Sequence, residues 1–146
     1  MAPVKNGKVV FNSIPKGNID EALKKKILLI LYPGFPEPGK TTVYDESETI
    51  DLENVPLNGG ILIKALEVSI DPYFRGRMRD PTIKSYSPAF ALGKPLESGG
   101  VGIVIRSENA KFKPGDHITG TLRMILFDVH TVTDVVDDSS PGVYHY

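Results

Sequence analysis

Cysteine is absent from the 146-residue chain, which excludes disulfides, thiolate nucleophiles and every zinc site built with a thiolate. Histidine is scarce: His117, His130 and His145 are the three, and they show no metal-ligand spacing. A surplus of either charge is missing as well. Seventeen Lys and Arg stand against 18 Asp and Glu, a net charge of −1, so neither a nucleic-acid footprint nor a patch for anionic membranes is implied. The opening Met1-Ala2-Pro3-Val4-Lys5 lacks the apolar core of a signal peptide. The most apolar helix-like stretch is too short and too charged to cross a bilayer. The chain is read as cytoplasmic, with neither nucleic acid nor membrane among its partners.

What is present suits one globular domain. Hydrophobic residues make up 40% and charged residues 24%, ordinary values for a chain long enough to bury a core. Twelve prolines and 14 glycines, scattered through β-branched runs, point to many turns and a mainly β chain. Lys8 to Ser13 reads as a first strand, ended by Pro15 and Gly17. Asn18 to Leu31 changes character: Asn18 can cap a helix, Glu21 completes a capping-box pattern, and Pro33-Gly34 stops it. Ile19, Ala22, Leu23, Ile27, Ile30 and Leu31 fall at helical spacing opposite Lys24, Lys25 and Lys26, so one surface-docked amphipathic helix is expected over about 18–31. Thr41 to Asp51 is β-prone and acidic, suiting an exposed strand or hairpin arm.

Asn58-Gly59-Gly60 is a turn that launches the run Ile61 to Val68, an apolar, β-branched strand. At its end stands Ser69-Ile70-Asp71-Pro72-Tyr73-Phe74-Arg75-Gly76-Arg77-Met78. Asp71-Pro72 must break the strand, because proline fixes φ, lacks an N–H and drives the residue before it out of the helical region. An aromatic pair and two cations then sit on the turn, where a rigid strand would hold them still. Read from chemistry alone, the aromatics plug the end of a barrel and the arginines face water, since no acid–base or metal constellation is visible. Asp80 to Gly93 is a loop in which Tyr86 and Phe90 are possible walls of a substrate site. Gly99-Gly100-Val101-Gly102-Ile103-Val104-Ile105 begins another strand, its glycines marking a bulge or a close backbone approach. Lys113-Pro114-Gly115-Asp116 turns that strand back into His117-Ile118-Thr119-Gly120, with Asp116 capping its own turn and His117 in solvent.

Two motif matches need their structural context. Gly34 to Thr41 fits the P-loop string G-x-x-x-x-G-K-[ST], but Pro36 and Pro38 each remove a backbone donor. Thr42-Val43-Tyr44 is strand-like where a helix must begin, and Asp45, Glu46 and Glu48 would repel phosphate. A nucleotide-binding P-loop is therefore the remote alternative. Gly99 to Gly102 is no dinucleotide fingerprint: G-x-G-x-x-G is absent and no helix follows.

Ser69 to Met78 resembles the signature of the zinc-independent medium-chain dehydrogenase/reductase family, the group of leukotriene B4 12-hydroxydehydrogenase, prostaglandin reductase and plant alkenal double-bond reductases. The likeness continues in order through Asn6–Phe11 with Pro15-Lys16-Gly17, Pro36-Glu37-Pro38-Gly39 through Asp71, and Gly93-Lys94-Pro95-Leu96 through Gly120. It implies a GroES-like, partly open β-barrel over residues 1–122, with 18–34 as an insertion (a translated intron or shifted exon edge) and 123–146 as a tail unlike the family. It also implies that the family's Rossmann domain is absent. Where zinc-dependent relatives carry a His-Glu pair, this chain has Ser98-Gly99, and some family members place a substrate-facing aromatic at the position of Gly99.

The resemblance implies the amino-terminal catalytic domain of an NADPH-dependent oxidoreductase that reduces the C=C bond of α,β-unsaturated aldehydes or ketones. Tyr73 and Tyr86 would line the enal or enone pocket. Asp71 and Pro72 would set the turn, and Arg75 and Arg77 would anchor the loop or face the cofactor. Without a Rossmann domain, NADPH is not expected to bind this chain tightly, and the chain is expected to be inactive alone, with homodimerisation a possible route to a cofactor site. The alternative of another class is a non-enzymatic GroES-like module that binds a protein through the 18–31 helix.

Overall fold

The structure, a computed structural model, describes residues 2–16, 35–131 and 135–137. The helix expected over Asn18–Leu31 and the end of the tail lie outside the described residues. Among those described there are nine strands: β1 (Val4–Lys5), β2 (Lys8–Phe11), β3 (Thr42–Asp45), β4 (Thr49–Ile50), β5 (Ile61–Val68), β6 (Glu97–Ser107), β7 (His117–Arg123), β8 (Phe127–His130) and β9 (Val135–Asp137). One short helix, α1, spans Tyr73–Arg77. The chain divides into two compact units, one of Met1–Lys8, Glu46–Ser69 and Glu97–Tyr146, the other of Val9–Asp45 and Ile70–Leu96.

The first unit is an open antiparallel sheet in the order β8-β5-β6-β7-β9. Strand β5 has the bounds that its apolar run implies. Asn58 and Gly59 take φ of 50° and 81°, the left-handed turn that short polar residues and glycine allow, and the strand starts directly after. Ile61, Ile63, Val104, Phe112, Ile118 and Leu122 make one buried cluster, drawn from one face of β5, β6 and β7 with Phe112 added from the connection between β6 and β7. Arg106 reaches out of β6 to donate to the carbonyls of Leu52 at 2.8 Å and Val55 at 3.2 Å, tying down the turn that precedes β5.

The glycines of β6 serve backbone approach. Across the register shift between Ala65 and Glu67, a Cβ on Gly100 would stand 2.6 Å from the Glu67 carbonyl oxygen, whereas one on Gly99 would meet nothing within 4 Å. Beyond Thr121-Leu122 the chain stays in the sheet: β8 pairs with β5. The Asn6 amide donates to the Phe127 carbonyl and accepts from the Phe127 N–H, each at 2.9 Å. The Lys113 N–H donates to Asp116 Oδ2 at 2.7 Å, so Asp116 does close its own turn, and His117 is exposed.

In the second unit β2 and β3 form a two-stranded sheet, and the chain before Leu96 runs beside it, with Phe11 N–H donating to the Lys94 carbonyl and Leu96 N–H to that of Val9. Phe11, Phe74 and Phe90 are its buried aromatics, with centroids 6.2 Å apart for Phe11–Phe90 and 5.2 Å for Phe74–Phe90. Three expectations are corrected. The first strand stops at Phe11 rather than Ser13, because Asn12 and Ser13 turn their side chains onto the Lys40 carbonyl. Thr41–Asp51 is two strands in separate sheets, interrupted at Glu46-Ser47-Glu48, where Glu46 and Glu48 pair with Lys5 and Lys8. Phe90 is core, not a cavity wall, at 5% exposure.

Replacing Gly100 with alanine should force β5 and β6 apart and lower the free energy of unfolding by about 2 kcal/mol, while Gly99→Ala stays within about 0.5 kcal/mol of the parent. Urea unfolding of the two variants checks this; equal stabilities would refute the close approach.

Candidate functional site

The site grows from the strand break at Asp71-Pro72. Pro72 takes φ −55° and ψ −27° at the N-cap of α1, the geometry that proline pre-sets, and the Phe74 N–H donates to the Asp71 carbonyl at 3.0 Å. The helical spacing then sorts the side chains. Phe74, Arg77 and Met78, three and four residues apart, are buried; Tyr73, Arg75 and Gly76 fall on the other face and line a cavity of about 370 Å³. Its remaining walls are Pro72, Arg79 and, from the loop, Ile83, Ser85 and Tyr86.

Of the residues singled out from sequence, Pro72, Tyr73, Arg75 and Tyr86 share this cavity. Tyr73 is half-buried, its ring 5.4 Å from that of Phe74. The Arg75 guanidinium lies 4.3 Å from the Phe35 ring centroid. Asp71 contributes its carbonyl to the turn and is not among the lining residues. Arg77 turns inward: it stacks 4.0 Å over Phe90 and donates through Nε to the Pro88 carbonyl at 3.1 Å. Sequence reading missed Arg79, Ile83 and Ser85. No sequence signal marks Arg79, which lies two residues beyond the end of α1 and whose hydrogen-bond partners are backbone carbonyls.

The chemistry of the lining is one-sided. Two phenols, a serine hydroxyl and guanidinium groups offer hydrogen-bond donors, and no carboxylate, imidazole or thiol is among the lining residues. Such a cavity can hold and polarise an oxygen acceptor in a small molecule; it has no general base of its own. A larger cavity of about 600 Å³ lies in the first unit, lined by Glu97, Thr121, Arg123, Val129, His130 and Thr131. Its cation is already committed, because Arg123 forms a forked pair with the buried carboxylate of Asp128. His130 Nε2 stands 3.1 Å from Asp128 Oδ2, is shielded from solvent and makes no directed hydrogen bond.

The P-loop string closes on itself. The N–H groups of Gly39, Lys40 and Thr41 donate to the carbonyls of Thr42, Glu37 and Glu37, and Lys40 pairs with Glu37 at 3.1 Å. Donors needed for phosphate are engaged, and β3, not a helix, follows. Among the described residues no group of three or more His, Cys, Asp or Glu is placed to hold a metal ion, and no helix is long and apolar enough to cross a membrane.

The family model described as the N-terminal domain of oxidoreductase matches residues 38–136. The NADP-dependent oxidoreductase RED1 of Cochliobolus heterostrophus is 46% identical over 88 residues, covering 60% of this chain and 24% of that one. The NADP(+)-dependent 2-alkenal reductase of Nicotiana tabacum is 30% identical over 118 residues, covering 80% and 34%. Crystal structures of CurA from Vibrio vulnificus, without and with NADPH, superpose with TM-scores of 0.60 and 0.58 at 23% and 19% identity, covering 84% and 93% of this chain and 29% and 34% of theirs. The fold is thus that of the GroES-like amino-terminal domain of these proteins. The chain spans between 24% and 34% of the length of these two curated relatives.

The loop that carries Tyr86 begins with a carboxylate whose titration reports on its geometry. The Thr82 hydroxyl, at 2.6 Å from Asp80 Oδ1, and after it the Thr82 N–H at 2.8 Å, hold the Asp80 carboxyl below its ordinary 3.8. A depressed carboxylate stabilises the fold above that value and loses its contribution as pH falls through the folded pKa. Thr82→Ala should return the Asp80 midpoint toward 3.8, read by NMR of its carboxyl carbon; an unmoved midpoint would rule out the hydroxyl as the cause.

Proposed function

Because the chain belongs to the zinc-independent medium-chain dehydrogenase/reductase family, we propose that its second unit supplies the substrate-side surface for NADPH-dependent reduction of the C=C bond of α,β-unsaturated aldehydes or ketones. One observation carries this reading: a cavity of about 370 Å³ walled by Tyr73, Arg75, Ser85 and Tyr86 offers donors and no base. Reduction at the β-carbon of an enone drives negative charge onto the carbonyl oxygen. Donors aimed at that oxygen stabilise the developing enolate, and loss of one such donor costs roughly 10²–10³ in rate. Tyr73, fixed by the α1 backbone and by its contact with Phe74, is assigned that role. Tyr86 closes the opposite wall against the apolar part of the substrate.

The dinucleotide itself does not fit the residues described. Gly100 and Gly102 sit inside β6, paired to β5 on one side and β7 on the other, rather than in a turn that opens a helix. No step through the cofactor is therefore assigned to this chain, and the 146 residues alone are proposed to be inactive. Arg77, turned into the core, serves as an anchor of the loop; Arg75 remains the charged wall.

Isothermal titration with benzylideneacetone tests the cavity. Tyr86→Ala should weaken binding about tenfold and Tyr73→Phe about threefold, or about 1.4 and 0.7 kcal/mol, with Asp116→Asn, in the hairpin of the other unit, unchanged. Parent affinity in both tyrosine variants would overturn the reading, and steady NADPH consumption by the pure chain with a 2-alkenal would overturn its inactivity.

A further inference from the structure

Tyr86 is 87% exposed, so contacts of its own ring cannot be what holds this wall of the cavity in place. The backbone on either side of it, at Ile83 and Ser87, is held by one side chain. Arg79 donates through Nη1 to the Gly76 carbonyl at 2.7 Å, through Nε to the Ile83 carbonyl at 3.0 Å, and through Nη2 to the Ser87 carbonyl. Gly76 belongs to α1, Ile83 precedes the wall and Ser87 follows it, so Lys84, Ser85 and Tyr86 are the short span hung between two points of a single planar fork. Arg79 is 5% exposed, and its guanidinium donates to these three backbone carbonyls.

We infer that Arg79 is the positioning residue that sets the distance between Tyr86 and the α1 face, and with it the breadth of substrate the cavity accepts. The inference rests on the substrate reading of this cavity for its specificity claim, and on geometry alone for the clamp. A fork is required because the three acceptors are spread over separate segments. Five N–H groups in one rigid plane reach all three, whereas an ammonium presents its three donors from one atom. Retaining the positive charge is therefore not enough: lysine should fail here, whereas it would serve if Arg79 acted only through its charge or bulk. Moving the wall changes how well a broad substrate is gripped relative to a slim one; general loosening of the fold weakens both alike.

The test uses the full chain, Arg79→Lys, and Val104→Ala as a control that opens a void in the other unit's core. Hydrogen exchange of the Ile83 amide, which donates to the Asp80 carbonyl at 3.0 Å, reads the clamp, and titration with 3-penten-2-one and benzylideneacetone reads the wall. In Arg79→Lys, exchange of the Ile83 amide should quicken at least about tenfold and the ratio of the two affinities should shift at least about fivefold; in Val104→Ala both stay at parent values. Unchanged exchange overturns the clamp, and faster exchange with an unchanged ratio overturns its control of breadth. If neither ketone binds the parent chain, the substrate reading falls with its specificity claim, and exchange alone then decides for or against the clamp. Should Arg79→Lys not fold, Arg79→Ala read with and without ethylguanidinium carries the same comparison, restored protection with the added ion being the supporting result and none the opposing one.

Discussion

A guanidinium taken out of water must have its N–H groups met by acceptors, and in the second unit that requirement dictates the course of a whole loop. Arg77 and Arg79 are both buried, two residues apart, at and just past the end of a short helix that supplies Arg79 with one acceptor, the Gly76 carbonyl. Leaving a buried donor unmatched costs about 1–3 kcal/mol, and a charged one more. The chain resolves this by folding back after Asp80, so that the carbonyls of Ile83, Ser87 and Pro88 arrive at the two side chains. The Phe90 N–H then donates to the Arg77 carbonyl and its ring slides beneath the Arg77 guanidinium. A loop rich in Pro, Ser and Tyr, with little apolar surface to bury, is ordered by electrostatics supplied from the helix.

This explains what could and could not be read from sequence. Strand β5 was legible to the residue, because a β-branched run bounded by Asn-Gly-Gly and Asp-Pro leaves few alternatives. So was the Asp116 turn, and the glycines of β6 were legible as sites of close approach. The reversal of Phe90 was not. An aromatic in a polar loop reads as a surface residue until a buried cation is known to need a partner, and that cation is on another segment. Arg79 was overlooked for a related reason: its worth lies in three backbone carbonyls, and backbone acceptors leave no mark on a sequence. The split of Thr41–Asp51 into β3 and β4 likewise depended on partners, since β-propensity alone cannot say which sheet each half joins.

Membership of the oxidoreductase family, shown by the match over 38–136, accords with a cavity that binds rather than transforms. A reductase whose reducing power comes from a dinucleotide needs little from the substrate side: orientation, exclusion of water, and donors for an oxygen that becomes more negative. In the function proposed above, the side chains that α1 turns outward are assigned that short requirement, and the absence of cysteine from the chain removes thiolate alternatives.

Cavity size is a poor guide beside this. The larger hollow of the first unit contains Glu97, Arg123 and His130, a richer set of titratable groups, yet its arginine is neutralised by Asp128 in a forked pair. Recruiting Arg123 for a ligand would strand a buried carboxylate, a loss of several kcal/mol by the experience of broken buried pairs. In the smaller cavity Arg79 is bound to backbone carbonyls, which carry no net charge to be stranded. A ligand oxygen entering there meets a field that no protein carboxylate on the lining has already quenched. On the reading proposed above, a lining of donors without a carboxylate, rather than the volume, favours the α1 face as the place for an enone carbonyl.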